Sequence, residues 1–167
     1  MVNESSRNTR RRKSASEPAE DDVAELELGV LPTLVARQLR IAQLLVFKGV
    51  VMEVGGVSLS PGSFEILELL NHNPGIGPTR LALAIGLEKS SLVPAIARLE
   101  DLGLVVRKQS TSDKRANELR ITGKGKRTLA ELRSYVMEHE AKVTKGLSSD
   151  DVKRLNSLLQ KIASINS

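Results

Sequence analysis

Between Ser60 and Gly103 three short runs of helical periodicity are cut apart by strong stop signals. Ser60-Pro61 pairs an N-cap with a first-turn proline, and Phe64, Ile66, Leu67, Leu69 and Leu70 carry a helix to Asn71-His72-Asn73-Pro74. Pro78 starts a second helix with Leu81, Ala82 and Ile85, and Gly86 ends it. After one turn, Lys89 to Leu102 makes a third, with Leu92, Ile96 and Leu99 on one face and Gly103 as its stop. Three compact helices, the last two joined by a tight glycine turn, match a helix-turn-helix. Leu104 to Gln109 and Glu118 to Ile121 then read as two short strands around the turn-rich Ser110 to Asn117, which makes a β-hairpin, or wing.

Long helices are expected on either side. Leu31-Pro32 opens the first, because a proline in the first turn loses no hydrogen bond. Leu31, Leu34, Val35, Leu39, Ala42, Leu45, Val46, Gly49 and Val50 recur at three- and four-residue steps toward Gly55-Gly56, predicting about 23 residues and about 35 Å of helix. A helix that long overhangs a small domain, so part of its apolar stripe is expected to face a partner chain. From Thr122 another helix carries Leu129, Leu132, Tyr135, Val136 and Val143 to a break at Gly146. The last begins at Ser148, where Ser148 and Asp151 are spaced as a capping box with Asp in place of Glu. Val152, Leu155, Leu158, Leu159 and Ile162 form its expected buried face. The expected fold is mainly α with a small β wing. A winged helix-turn-helix over 58–121 is flanked by a helical dimerisation domain from 29–57 and 122–167.

Residues 1–28 are set apart by composition. The first fourteen hold five basic groups and one acid, and 15–28 hold six acids and no base, with too few apolar side chains to offset the entropy of ordering them. The segment reads as a disordered tail. Its Arg10-Arg11-Arg12-Lys13 run is a solvated tail, or an arm that adds phosphate contacts or folds against the acids beside it. No apolar stretch follows as a secretory signal would require, and Lys48 and Glu53 interrupt the best membrane candidate, Leu39 to Val54. A cytoplasmic protein is expected.

The formal net charge of +5 conceals a concentration. Arg107 to Arg127 contains eight basic residues against Asp113 and Glu118, so most of the folded part's positive excess lies in the wing and the turn after it. A polyanionic partner fits that pattern. With 167 residues there is no room for two large catalytic lobes. Aromatics are only Phe47, Phe64 and Tyr135, too few for a groove that stacks single-stranded bases. Cysteine is absent, which excludes thiol nucleophiles, thiol switches and zinc–thiolate sites. His72 and His139 lie 67 positions apart, a poor supply for a catalytic triad or a histidine metal cluster. No GxxxxGK[ST], GxGxxG or HExxH occurs, and nothing marks a catalytic carboxylate pair. Neither an enzyme, a cofactor nor a metal is expected.

Helical geometry then picks out the candidate contact residues. With Leu92, Ile96 and Leu99 inward, Ser90, Pro94, Ala97 and Asp101 face outward and Ser91, Val93 and Arg98 flank them. A small, polar outer face lets a helix approach base edges in a major groove. Ser90 and Ser91 can bond bases or phosphates, Pro94 or Val93 can touch a thymine methyl, and Lys89 and Arg98 can reach phosphate. In the hairpin, Arg107, Lys108, Lys114 and Arg115 are basic, and Asp113 stands two residues from Arg115. An arginine suits a narrow, electronegative minor groove, and a neighbouring carboxylate can hold its guanidinium extended.

These residues resemble the MarR family of bacterial transcriptional regulators. The resemblance is carried by LSPGSFEILELL (Leu59 to Leu70), LALAIGLEKSSLVPAIARLEDLGLVVR (Leu81 to Arg107), Asp113-Lys114-Arg115-Ala116 and Ile121-Thr122-x-x-Gly125, and spans about Val30 to Ile165. It implies a homodimer on a pseudo-palindromic operator, with Ser90, Ser91 and Pro94 near bases or phosphates, Arg115 in the minor groove and Asp113 supporting it. It also implies a repressor released by a small ligand bound between dimerisation helices and DNA-binding lobe. Without cysteine the chain departs from the peroxide-sensing branch. Arg37, Arg40 and Lys48 beside an apolar stripe, with Phe47 and Met52 nearby, offer a site for an anionic organic ligand, an aromatic acid or its coenzyme A thioester; a solvated face or dimer packing explains them equally. The competing reading is a winged-helix protein–protein interaction module without specific DNA binding.

Overall fold

The computed structural model describes residues 26–109 and 117–165, and the backbone groups into two units, 1–44 and 45–167. In the first, Pro32 starts a 3-10 turn, Leu31–Thr33, and Leu34 turns extended, so the α-helix begins only at Val35. Helix α1, Val35–Val46, has an apolar stripe but no buried residue.

The expected 23-residue helix is therefore corrected to 12. Gly49 takes a left-handed φ of 68°, and the segment expected to finish the helix folds back as strands β1, Met52–Val54, and β2, Val57–Leu59. Their register pairs Met52 with Leu59 and Val54 with Val57. Gly55 and Gly56 between them sit at φ 57° and 75°, the two positive values a type I′ hairpin turn needs. Met52, placed by the sequence reading on the first helix, is in β1 and buried.

The helix-turn-helix follows as expected. Helix α2 is Pro61–His72, and the Ser60 hydroxyl accepts a hydrogen bond from the Ser63 N–H at 3.4 Å. Helix α3, Pro78–Ile85, ends on left-handed Gly86, whose N–H closes onto the last turn. Helix α4 is Lys89–Asp101. The wing is β3, Val105–Gln109, paired antiparallel with β4, Asn117–Ile121. An isolated bridge from Ile76 to Leu119 ties the start of α3 to the wing. Leu67, Leu81, Leu92, Leu99, Leu119 and Leu132 are fully buried in one core. Full burial of a leucine side chain contributes about 1.5 to 3 kcal/mol.

Helix α5, Gly123–Val143, is pinned at its start. The Thr122 side chain accepts from the Gly125 N–H at 2.9 Å and donates to the Gly103 carbonyl at 2.7 Å. Helix α6, Ser149–Ile165, opens with the capping box the sequence predicts: Asp151 N–H donates to Ser148 Oγ at 3.1 Å, and Ser148 N–H donates to Asp151 Oδ2 at 3.2 Å. Its expected buried face is a correction, because no residue of α6 is buried. The stripe is present, but the packing that would cover it does not come from this chain's described residues. None of their helices is long and apolar enough to cross a membrane.

Candidate nucleic-acid interface and ligand cavity

Helix α4 turns Leu92, Ile96 and Leu99 into the core and leaves Ser90, Ser91, Val93, Pro94 and Ala97 exposed, as helical geometry requires. Pro94 lies inside the helix and has no N–H to donate to the Ser90 carbonyl, so that oxygen lacks its α-helical partner on the outward face. The exposed surface is small, polar at its start and rich in acceptors.

Beside it runs a groove of about 360 Å³ whose walls come from the start of α3, the start of α4 and the wing. Arg80, Lys89 and Arg107 line it together with Thr79 and Asn117, and none of the described residues lining it is acidic. Arg107 is not idle: its Nε and Nη2 donate to Glu100 at 3.3 and 3.2 Å. Such a half-exposed pair is worth under about 1 kcal/mol, so a phosphate can displace the carboxylate. Arg98, expected to reach phosphate, is exposed and uses one nitrogen within the fold. Its Nη2 donates to the Ser58 carbonyl at 2.9 Å and ties α4 to β2. Lys108 is exposed on β3. Asp113, Lys114 and Arg115 lie outside the described residues.

Arg80 and Asn117 were missed in the sequence. Arg80 had a local signal, a base in the first turn of the helix-turn-helix's leading helix. Asn117 had none, because its place on the groove depends on strand pairing.

A second concavity lies within 45–165. It has a volume of about 200 Å³, with Phe47, Val50, Met52, Phe64 and Val136 supplying apolar walls. Glu65 on α2 and Tyr135, His139 and Glu140 on α5 supply its polar groups. The Tyr135 hydroxyl donates to the Val51 carbonyl at 3.4 Å. Of the five residues the sequence offered for a ligand, Phe47 and Met52 line this cavity. Lys48 is exposed in the turn after α1, and Arg37 and Arg40 lie on α1 in the other unit. His139, Glu65 and Tyr135 were not anticipated as lining residues.

Just beyond the cavity, Arg133 of α5 grips Glu68 of α2 with two hydrogen bonds of 3.0 Å, and His72 approaches the same carboxylate at 3.2 Å. The Arg133 hydrogen bonds hold the Glu68 carboxyl below its ordinary pKa, against an opposing desolvation. Among the described residues no group of three or more metal-ligating side chains comes together.

Residues 59–116 match the model of the MarR family. The putative transcriptional regulatory protein for the hcr operon of Thauera aromatica is 30% identical over 152 residues, which is 90% of this chain and 92% of that protein. Among solved structures, the transcriptional repressor CouR bound to a 23-mer DNA duplex is 38% identical with a TM-score of 0.76, covering 83% of this chain and 99% of CouR's. CouR bound to p-coumaroyl-CoA is 36% identical, with a TM-score of 0.73 over 83% of this chain and 98% of the other.

Proposed function

Since the chain belongs to the MarR family of transcriptional regulators, we propose that it is a cytoplasmic, homodimeric repressor on a pseudo-palindromic operator, released by a small organic ligand. The observation that carries this reading is the pairing of two surfaces: the exposed face of Ser90, Ser91 and Pro94 on α4, and the groove of Arg80, Lys89 and Arg107 next to it. The first suits base edges in a major groove and the second the phosphates that flank them. CouR, a relative that covers most of this chain, is described bound to a DNA duplex, which supports the same use here. In this reading Lys89, Arg107 and Lys108 contact phosphate, Arg115 enters the minor groove and Asp113 orients it. Arg98 also reaches phosphate, with its bond to the Ser58 carbonyl steadying it.

The dimerisation domain in this reading comprises 29–57 and 122–167, and the winged helix-turn-helix 58–121. Support comes from the amphipathic helices α1 and α6, neither of which has a buried residue. The ligand occupies the cavity lined by Phe47 and Met52 with its aromatic part, and Lys48, in the same unit, is a cation available to an anionic part such as a coenzyme A moiety. That CouR is described bound to p-coumaroyl-CoA supports this class. Release follows if the ligand binds the DNA-incompetent arrangement more tightly, by as much as the shift it causes.

Footprinting on the DNA upstream of the protein's own gene tests the reading. Two protected half-sites about one helical turn apart are expected, with affinity falling at a log-log salt slope of about −0.9 per neutralised phosphate. Arg115→Ala should weaken binding by about 1 to 3 kcal/mol by anisotropy. No protection at physiological salt, with a salt-insensitive protein partner instead, would favour the interaction module.

A further inference from the structure

Ser90, Pro94 and Ala97 follow one another along α4 at four- and three-residue steps, and all three are exposed, so they form a row on its outward face. In a major groove, guanine is read by a forked arginine or a lysine on N7 and O6, and adenine by asparagine or glutamine on N6 and N7. The row carries none of these side chains. The two basic residues of α4 stand on its flanks, Lys89 in the cationic groove and Arg98 bonded to the Ser58 carbonyl. What the row does offer is the Pro94 ring, the Ala97 methyl and the Ser90 carbonyl that Pro94 leaves without an N–H partner. A carbonyl is repelled by the N7 and O6 acceptors of guanine and accepts from an amino group, and the apolar group that a base edge presents in this groove is the C5-methyl of thymine. Asp101, exposed at the far end of the same face, keeps that end off the phosphates, so the row is the part that enters.

We propose that Pro94 and Ala97 are specificity-determining residues that pack on the C5-methyl of a thymine in each half-site, while the Ser90 carbonyl accepts a hydrogen bond from the amino group of an adjacent base. The inference rests on the reading of α4 as the element in the major groove, and adds the base feature it reads. The Ser90 and Ser91 hydroxyls both donate and accept, so they do not distinguish one base from another. Val93, on the flank, lines the cationic groove instead. Discrimination is left to apolar contact: cytosine in place of that thymine removes the methyl and leaves Pro94 and Ala97 without their partner.

Selection by the full chain from a pool of randomised duplexes, each long enough for two half-sites about one helical turn apart, supplies the probe. Each thymine of the enriched half-site is then replaced singly by deoxyuridine, which differs only by the lost methyl, and affinity is read by anisotropy. At least one replacement per half-site is expected to weaken binding about fourfold, the worth of one buried methyl group. In Pro94→Ser, checked for folding by its melting temperature, that penalty should shrink to below about twofold while the salt slope stays unchanged. Ala97→Ser should shrink it too, and stands in if the first variant does not fold. Deoxyuridine that is neutral at every position, a penalty that survives in both variants, or half-sites weakened only by 7-deazaguanine in place of guanine each overturns the assignment. If the pool yields a defined operator whose binding ignores the thymine methyls, the repressor reading stands and this inference falls. If no sequence is enriched, the major-groove reading falls with it.

Discussion

Gly125 shows how one residue joins the wing to the helix behind it. A methyl group there would sit within contact distance of the Leu104 carbonyl and 2.7 Å from Ile121 Cγ1, so the backbones of α5 and the wing approach more closely than any side chain permits. The Thr-x-x-Gly pattern visible in the sequence thus has two causes, a capping hydroxyl at Thr122 and missing bulk at Gly125. Its first cause follows from local rules; its second needs Leu104, 21 positions away. Gly125→Ala is expected to destabilise the protein by about 3 kcal/mol, the upper end for overpacking, read as a lower urea midpoint at unchanged slope. At the groove proposed to meet DNA, the Glu100 carboxylate holds Arg107 at 3.2 Å and would compete with phosphate for it. Glu100→Gln should tighten DNA binding by less than about 1 kcal/mol at low salt, measured by anisotropy, and an unchanged affinity would remove Arg107 from the interface. Arg80, Arg107 and Lys89 could each be named as bases in the sequence. Their convergence on one groove could not, because 27 residues separate Arg80 from Arg107.

Among the elements, the helices with strong stops were legible and the β1–β2 hairpin was not. Ser60 and Ser148 cap by rules that act over three residues, and Gly86 ends α3 by its own φ of 74°. The stretch from Leu31 to Leu59 carried two signals at once, an apolar recurrence that suggested helix and a Gly-Gly pair between alternating residues that specifies a hairpin. The turn won, since both glycines adopt a left-handed conformation that costs other residues about 1 to 2 kcal/mol. Helices α2 and α5 are joined by the Glu68–Arg133 pair, whose contribution depends on pH. Because the folded carboxyl is held below its ordinary value of 4.5, the pair's stabilisation is complete above that value and is lost as pH falls through the lowered one. The melting temperature of Glu68→Gln should therefore trail the native protein by a constant margin from about pH 6 to 8 and converge with it toward about pH 3. A margin that persisted in acid would mean that the glutamate acts by packing rather than charge.

At the scale of the whole molecule, Leu155 and Leu158 on α6 remain 45% and 48% exposed, on a helix with an apolar stripe and no buried residue. An exposed apolar stripe of that kind marks an interaction surface. If α6 belongs to the proposed homodimer interface, Leu155→Asp combined with Leu158→Asp should halve the mass seen by sedimentation velocity. Operator affinity should fall with it, because a two-fold operator needs both lobes. A variant that stays dimeric would place the interface elsewhere. The amino-acid sequence by itself determined the three short helices, their caps, the wing strands and the segregation of charge, since each follows from chemistry within a few residues along the chain. Only the tertiary structure decided that Met52 belongs to a hairpin, that Gly125 has no room for a methyl, that the α6 stripe stays uncovered by the described residues of its own chain, and that His139 lines a cavity. Those outcomes depend on atoms brought close from distant positions, and the free energy that places them is a property of the packed whole.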